Sequence, residues 1–263
     1  MRSYNQCMYQ YCKAADQVKA FEASERFQYM KGSFKVKKET RHYKNKVYEY
    51  QRTYVVRVNY VNGKRKYSYQ YVKEKDLANV ERKLADKQKN RQTYNKLKKI
   101  AETLFAQLKK IFGNKSKVLD EIVQHRNNNE EFRKKDKNIV TPLGEQVRSR
   151  AECLLASLIF AFNIPYIYEA AIKVNKYDEL HPDFTLFLRG KRIQLEYLGM
   201  MDDDDYIARQ VWKEQRYEEA GYRMGKNLVY LASRDDQDID ARKVVQVFMG
   251  LLKGKMPQEI VYV

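Results

Sequence analysis

His181-Pro182-Asp183-Phe184-Thr185-Leu186-Phe187-Leu188-Arg189-Gly190-Lys191-Arg192-Ile193-Gln194-Leu195-Glu196-Tyr197-Leu198-Gly199 is the stretch on which the reading of the fold turns. Residues 183–188 and 192–197 are rich in apolar and β-branched residues, and Arg189-Gly190-Lys191 between them makes a tight turn. Antiparallel neighbours joined in this way bring the start of one strand against the end of the other. Asp183 and Glu196 are then directly opposed, or within one pair of it, and two carboxylates held at one point can share a cation.

Working outward, residues 145–162 predict a helix, amphipathic at first and then nearly all apolar, with Pro165 ending it. Glu152 stands at the head of the apolar run beginning Cys153-Leu154-Leu155, where a carboxylate lies near the core edge and needs a partner. Residues 166–174 read as a strand. After the quoted stretch come a helix over 203–220 that stops at Gly221, a strand at 227–232, a helix at 239–253 and a short strand at 259–263. Asp202-Asp203-Asp204-Asp205 is expected to cap the first of these helices, where acids suit the positive end of the dipole. The order is αβββαβ: an antiparallel meander, then a helical crossover to a strand that pairs in parallel. The expected class is α/β (α+β), a mixed sheet flanked by helices.

The first half has a different composition. Net charge is +18, and it is unevenly placed: residues 1–140 carry 35 Lys/Arg against 15 Asp/Glu, whereas 141–263 carry 17 against 19. We therefore expect a basic N-terminal region over 1–140 and a near-neutral domain over 141–263. Such a division suits a polyanion gripped by one part and worked on by the other. Residues 1–30 read weakly as helix. Strand-like runs at 47–60 and 64–72 flank Asn62-Gly63, the strongest short-range hairpin signal, because both turn positions need positive φ. In the second run Tyr67, Tyr69 and Tyr71 share one face. With Lys64, Arg65 and Lys66 they can form a stacking and phosphate-contacting surface, or they can pack on a neighbouring helix. Arg148 is counted with the nucleic-acid contacts. Residues 74–112 predict one basic amphipathic helix, or two broken near Asn90. Residues 113–138, including Asn127-Asn128-Asn129, read as irregular or linking.

Cys7, Cys12 and Cys153 match no disulfide framework or zinc spacing with His42, His125 or His181, and Cys153 is expected to be a buried thiol. The longest apolar run, Leu154 to Phe162, is too short to span a bilayer, and the N-terminus has no signal-peptide pattern. The expectation is a cytoplasmic protein, in a bacterial or phage-infected cell, with no membrane partner.

Hydrolysis of a phosphodiester needs an activated water, charge neutralisation at phosphorus and help for the departing oxygen, which Mg²⁺ on carboxylates can supply. Mg²⁺ keeps several waters, so a few hard oxygen ligands suffice, and Mn²⁺ is expected to substitute. Asp183 and Glu196 are the candidate metal ligands, with the carbonyl of Tyr197 a natural third. Glu152 can orient a metal-bound water, and Lys213, on the charged helix, can stabilise hydroxide or phosphate charge.

The segments Thr141-Pro142-Leu143-Gly144-Glu145 through Glu152, Ile164-Pro165-Tyr166-Ile167-Tyr168-Glu169, His181-Pro182-Asp183-Phe184 and Glu196-Tyr197-Leu198-Gly199-Met200-Met201-Asp202-Asp203 carry a resemblance. They continue through Tyr206, Lys213, Tyr217 and Gly221 to Asn227-Leu228-Val229. Over about 141–235 the chain resembles a bacterial and phage branch of the PD-(D/E)XK nuclease superfamily. The resemblance implies a restriction-endonuclease-like fold and Mg²⁺-dependent cleavage of nucleic acid, usually DNA. By motif, Glu152 is the helix acid, and Asp183 and Glu196 are the metal ligands. Leu198 stands where the superfamily usually has lysine, and the branch implies that Lys213 replaces it. Leu195 and Tyr197 stand where the branch more often has tryptophan and histidine.

The sequence thus points to an endonuclease acting on DNA ahead of RNA. Two other readings stay open. One is a non-catalytic DNA- or RNA-binding protein with a degenerate nuclease core; the other is an RNA-directed or ribosome-associated basic protein. Cutting both strands with one site per chain would favour a homodimer.

Overall fold

The computed structural model describes residues 3–44, 46–128, 136–199, 204–233 and 239–263, and over 127–128 and 204–206 the backbone alone. The expectations placed on Asn129, Met200, Met201, Asp202 and Asp203, and on the side chains of Asn127, Asn128, Asp204, Asp205 and Tyr206, fall outside these residues. The chain forms two compact units, one of Met1–Gln10 with Phe105–Val263 and one of Tyr11–Leu104. The boundaries fall within helices α1 (Tyr4–Ala23) and α4 (Lys87–Phe112).

Between them lie α2 (Glu25–Met30), β1 (Gly32–Tyr43), β2 (Lys46–Val61), β3 (Lys64–Val72) and α3 (Leu77–Ala85). The β2–β3 hairpin closes at Asn62 and Gly63, with φ of 49° and 74°, as the Asn-Gly pair predicts. Strand β1 is a finding that the sequence reading left out. It pairs antiparallel with β2 from Gly32↔Arg57 to Tyr43↔Lys46. Only Phe34 and Val36 are apolar in its interior, so no alternation of a half-buried strand is visible. One face of this sheet buries Val55 and Val72 against Tyr29, Val80, Leu77 and Leu84. The helical region breaks at Asp86 rather than Asn90.

In the other unit the expected irregular stretch 113–138 instead contains α5 (Ser116–Asn128). Leu119 and Ile122 bury one short stripe of it, and the polar composition around them hides the helix. The helix expected from 145 begins later. Strands β4 (Ile139–Val140) and β5 (Gln146–Val147) form a small antiparallel pair, and α6 covers Arg150–Ala161. Ser149 sets that start. Its hydroxyl accepts the Glu152 N–H at 3.1 Å, and the Glu152 carboxylate accepts the Ser149 and Arg148 N–H groups at 3.2 and 2.8 Å. This is a capping box. Ser149→Ala is expected to cost about 1 kcal/mol, read from the urea midpoint.

The strand expected over 166–174 also divides. β6 (Tyr166–Tyr168) ends where Glu169 takes φ +49°, and Ile172–Lys173 (β7) pairs separately with Glu179–Leu180 (β8). Then follow β9 (Phe184–Leu188), β10 (Lys191–Leu198), α7 (Asp204–Glu219), β11 (Leu228–Ala232), α8 (Ala241–Leu252) and β12 (Val261–Tyr262). The five-stranded sheet has the order β12-β11-β10-β9-β6. β6, β9 and β10 are antiparallel, whereas β10, β11 and β12 are parallel, so the fold is a mixed α/β arrangement with helices. Arg189 and Gly190, with φ of 50° and 80°, make the turn between β9 and β10. On one sheet face the Tyr166 and Tyr168 rings pack on Phe184. On the other, Tyr217 of α7 packs with Leu198, Leu228 and Tyr230.

None of the three cysteines forms a disulfide; Cys7 and Cys12 are buried, while Cys153 is half-buried rather than buried as expected. Among the described residues no helix is long and apolar enough to cross a membrane.

Candidate active site

The β9–β10 ladder runs from Leu188↔Lys191 to Phe184↔Leu195, so the next position sets Asp183 against Glu196. Opposed residues of an antiparallel pair project on the same face, here the face under α7. Asp183 Oδ2 accepts the Tyr197 N–H at 2.7 Å. Its carboxyl is pushed up to about 8, first by burial and then by the negative charge of Glu196; Lys213 and the Tyr197 N–H pull the other way.

Glu196 is only 2% exposed. The Lys213 ammonium lies 2.7 Å from its Oε1 and 2.8 Å from its Oε2, and the Tyr217 hydroxyl donates to Oε1. Lys213 and Tyr217 are one turn apart on α7, which lets them meet one carboxylate together. Burial, reinforced by Glu196, holds the Tyr217 phenol far above its ordinary range, so it stays a proton donor. Leu198 projects on the same face as Glu196 and is buried in the cluster around Tyr217. Lysine is therefore supplied to Glu196 from the helix and not from the strand.

Glu152, at the start of α6, meets the same Arg148 guanidinium as Asp183, and its carboxylate is already engaged. Besides the two backbone N–H groups of the cap, it accepts the Tyr168 hydroxyl at 3.0 Å. Arg148 gathers these acids at the start of β9. Its guanidinium lies 2.8 Å from Glu169, 3.5 Å from Glu152 and 3.7 Å from Asp183. The side chain expected to touch nucleic acid thus faces three carboxylates. Burial opposes its charge, but Tyr168 and the carboxylates outweigh that and raise its pKa. Glu169 is 1% exposed and also pairs with Lys137 at 2.6 Å. Its N–H donates to the Asp183 carbonyl at 3.1 Å. Beside them His125 Nε2 lies 2.8 Å from the Tyr168 carbonyl, and burial lowers its pKa, keeping it neutral.

These groups set the charge of the site. Glu152, Glu169, Asp183 and Glu196 face Arg148, Lys137 and Lys213, so the acids exceed the bases by one. Burial and this surplus of acids favour a proton on Asp183, or a bound cation in its place.

Among the described residues no group of three or more His, Cys, Asp or Glu side chains is arranged to hold a metal ion. The candidate donors are the Asp183 and Glu196 carboxylates, with Glu152 and Glu169 held beside Asp183 by Arg148. The Leu198 carbonyl accepts Ser233 N–H on the β11 side, so strand alternation turns the Tyr197 carbonyl toward the Asp183 side. Two carboxylates and a carbonyl are hard oxygen donors of the kind Mg²⁺ takes alongside water.

The expected nucleic-acid contacts Lys64, Arg65, Lys66, Tyr67 and Tyr69 lie on β3 in the other unit and are exposed. Arg65 shares the face of Tyr67 and Tyr69, while Lys64 and Lys66 project on the other. Glu169, Lys137 and Tyr217 are site residues to which the sequence reading gave no role. The spacing of Tyr217 from Lys213 was the available signal for one of them. Nothing in the pattern around Glu169 announces a left-handed residue.

No family model matches the chain, and no solved structure matches it. Over 92 residues, 35% of this chain, it is 38% identical to an uncharacterized protein of Methanocaldococcus jannaschii, of which it spans 8% of the length.

Proposed function

We propose that this chain is a Mg²⁺-dependent endonuclease that hydrolyses phosphodiester bonds in nucleic acid, DNA ahead of RNA, on a restriction-endonuclease-like core. The observation that carries the reading is the burial of Asp183, one residue before β9, beside Glu196 on the neighbouring strand β10, with the Lys213 ammonium on Glu196. Asp183, Glu196 and the Tyr197 carbonyl would hold the ion; when bound, it supplies an activated water and charge neutralisation at phosphorus. Lys213 brings a fixed positive charge into the site, where it stabilises negative charge building on the phosphate. Tyr217 holds Glu196 in place. Arg148 keeps the start of β9, and with it Asp183, in register with α6. Glu152 acts through the fold, by capping α6 over the sheet.

A second reading, a nucleic-acid-binding protein without cutting activity, draws on Leu198 and on the small number of converging acids. Incubating supercoiled plasmid with purified protein separates the two. Nicked or linear product with Mg²⁺ or Mn²⁺, and none with EDTA, is expected of the nuclease. Intact plasmid under all three conditions would leave the binding protein.

A further inference from the structure

The face of the three-stranded sheet that α2 and α3 do not cover is paved with tyrosine. The β2–β3 register places Tyr54 opposite Tyr71, and Tyr67 and Tyr69 follow along β3 on the same face. Tyr67, Tyr69 and Tyr71 are 51%, 45% and 52% exposed. Cations stand among the rings. Lys37 Nζ is 4.5 Å from the Tyr69 centroid and 5.4 Å from that of Tyr54, and the Arg52 guanidinium is 5.7 Å from that of Tyr71. Among the described residues of the three strands, alternation puts a single carboxylate on this face, Glu39, and it is engaged by Arg52 at 3.3 Å and by the Tyr54 hydroxyl. The face is therefore both aromatic and strongly positive.

From this we infer that the sheet face binds single-stranded nucleic acid by stacking unpaired bases on successive tyrosines, with the phosphates on the interleaved Lys and Arg side chains. Spacing selects the occupant. Alternate residues on a strand lie about 6.6 Å apart, whereas stacked bases in a duplex strand lie about 3.4 Å apart. Bases seated on Tyr67, Tyr69 and Tyr71 must already have separated from one another, which only an unpaired strand allows. A duplex meets the same surface with its phosphates alone. The inference rests on the proposed action on nucleic acid, and it names the substrate class: strands with an unpaired segment.

The test is fluorescence anisotropy with the full chain in EDTA, titrated against labelled oligo(dT), oligo(U) and a dT·dA duplex. Single strands are expected to bind more tightly than the duplex, and the tighter of the two identifies DNA or RNA as the natural strand. Replacing Tyr67, Tyr69 and Tyr71 together by leucine should weaken single-strand binding by about tenfold per stacked base or more, with duplex binding little changed. Phenylalanine at the same positions should retain the affinity, because the ring and not the hydroxyl stacks. Lys37→Gln with Arg52→Gln should instead flatten the salt dependence. Equal affinity for single strand and duplex, or full affinity in a folded leucine variant, overturns the inference. Cleavage is scored separately: plasmid cutting with no single-strand preference refutes only the stacking face, and single-strand binding without any cutting refutes only the nuclease.

Discussion

Asp183→Asn is expected to lower Mg²⁺-dependent cutting by at least about 10³-fold while making the metal-free protein more stable at alkaline pH. The second half follows from the raised carboxyl. Asp183 titrates near 8 in the folded chain against an ordinary value of 3.8. Below about pH 4 the side chain is protonated in both folded and unfolded chains and contributes nothing. As pH rises above that, the unfolded chain releases its proton and the folded chain does not. Stability then falls by about 1.4 kcal/mol per pH unit until the folded group also ionises near pH 8. The total is of order 5 kcal/mol. Asparagine keeps an oxygen for the Tyr197 N–H and carries no charge, so it removes this decline. Melting temperatures of parent and variant in EDTA, at about pH 5 and about pH 8.5, should differ far more at the higher pH. A gap that is the same at both values would refute the raised Asp183 carboxyl.

Lys213→Met should be the most destabilising single change in the site. It leaves Glu196, which is almost wholly buried, with the Tyr217 hydroxyl but no cation. Removing one partner of a buried pair costs about 3–5 kcal/mol, because the surviving charge stays desolvated. Adding Glu196→Gln removes that charge, and the double variant should recover most of the loss in urea unfolding at neutral pH. Both proteins should fail to cut. A Lys213→Met protein within about 1 kcal/mol of the parent would mean that Lys213 is not the counter-ion of Glu196.

The parts of this molecule that were legible in the sequence are those decided by short-range rules. Asn62-Gly63 and Arg189-Gly190 each demand a hairpin, and a hairpin fixes register. Register alone then opposes Asp183 to Glu196. The strand at 228–232 and its parallel pairing follow from the length of the helix before it. What escaped depends on distant partners. β1 is held by β2 and not by its own pattern, and α5 by the buried Leu119 and Ile122 in a largely polar run. Arg148 looked like a surface cation because its three carboxylate partners come from other elements. Glu169 became a site residue only when a left-handed backbone turned it inward toward Lys137 and Arg148.

The capping box on α6 has a consequence for how this protein should be compared with its descendants. Because the Glu152 carboxylate closes the first turn of its helix, selection for a folded chain preserves it whether or not any strand is ever cut. A lineage that lost its chemistry would keep Glu152 and drift first at Asp183, where the acid works against stability. On the proposed nuclease reading, an aspartate retained at that position is therefore the better mark of cutting activity, and a glutamate at the head of the helix marks only the capped fold.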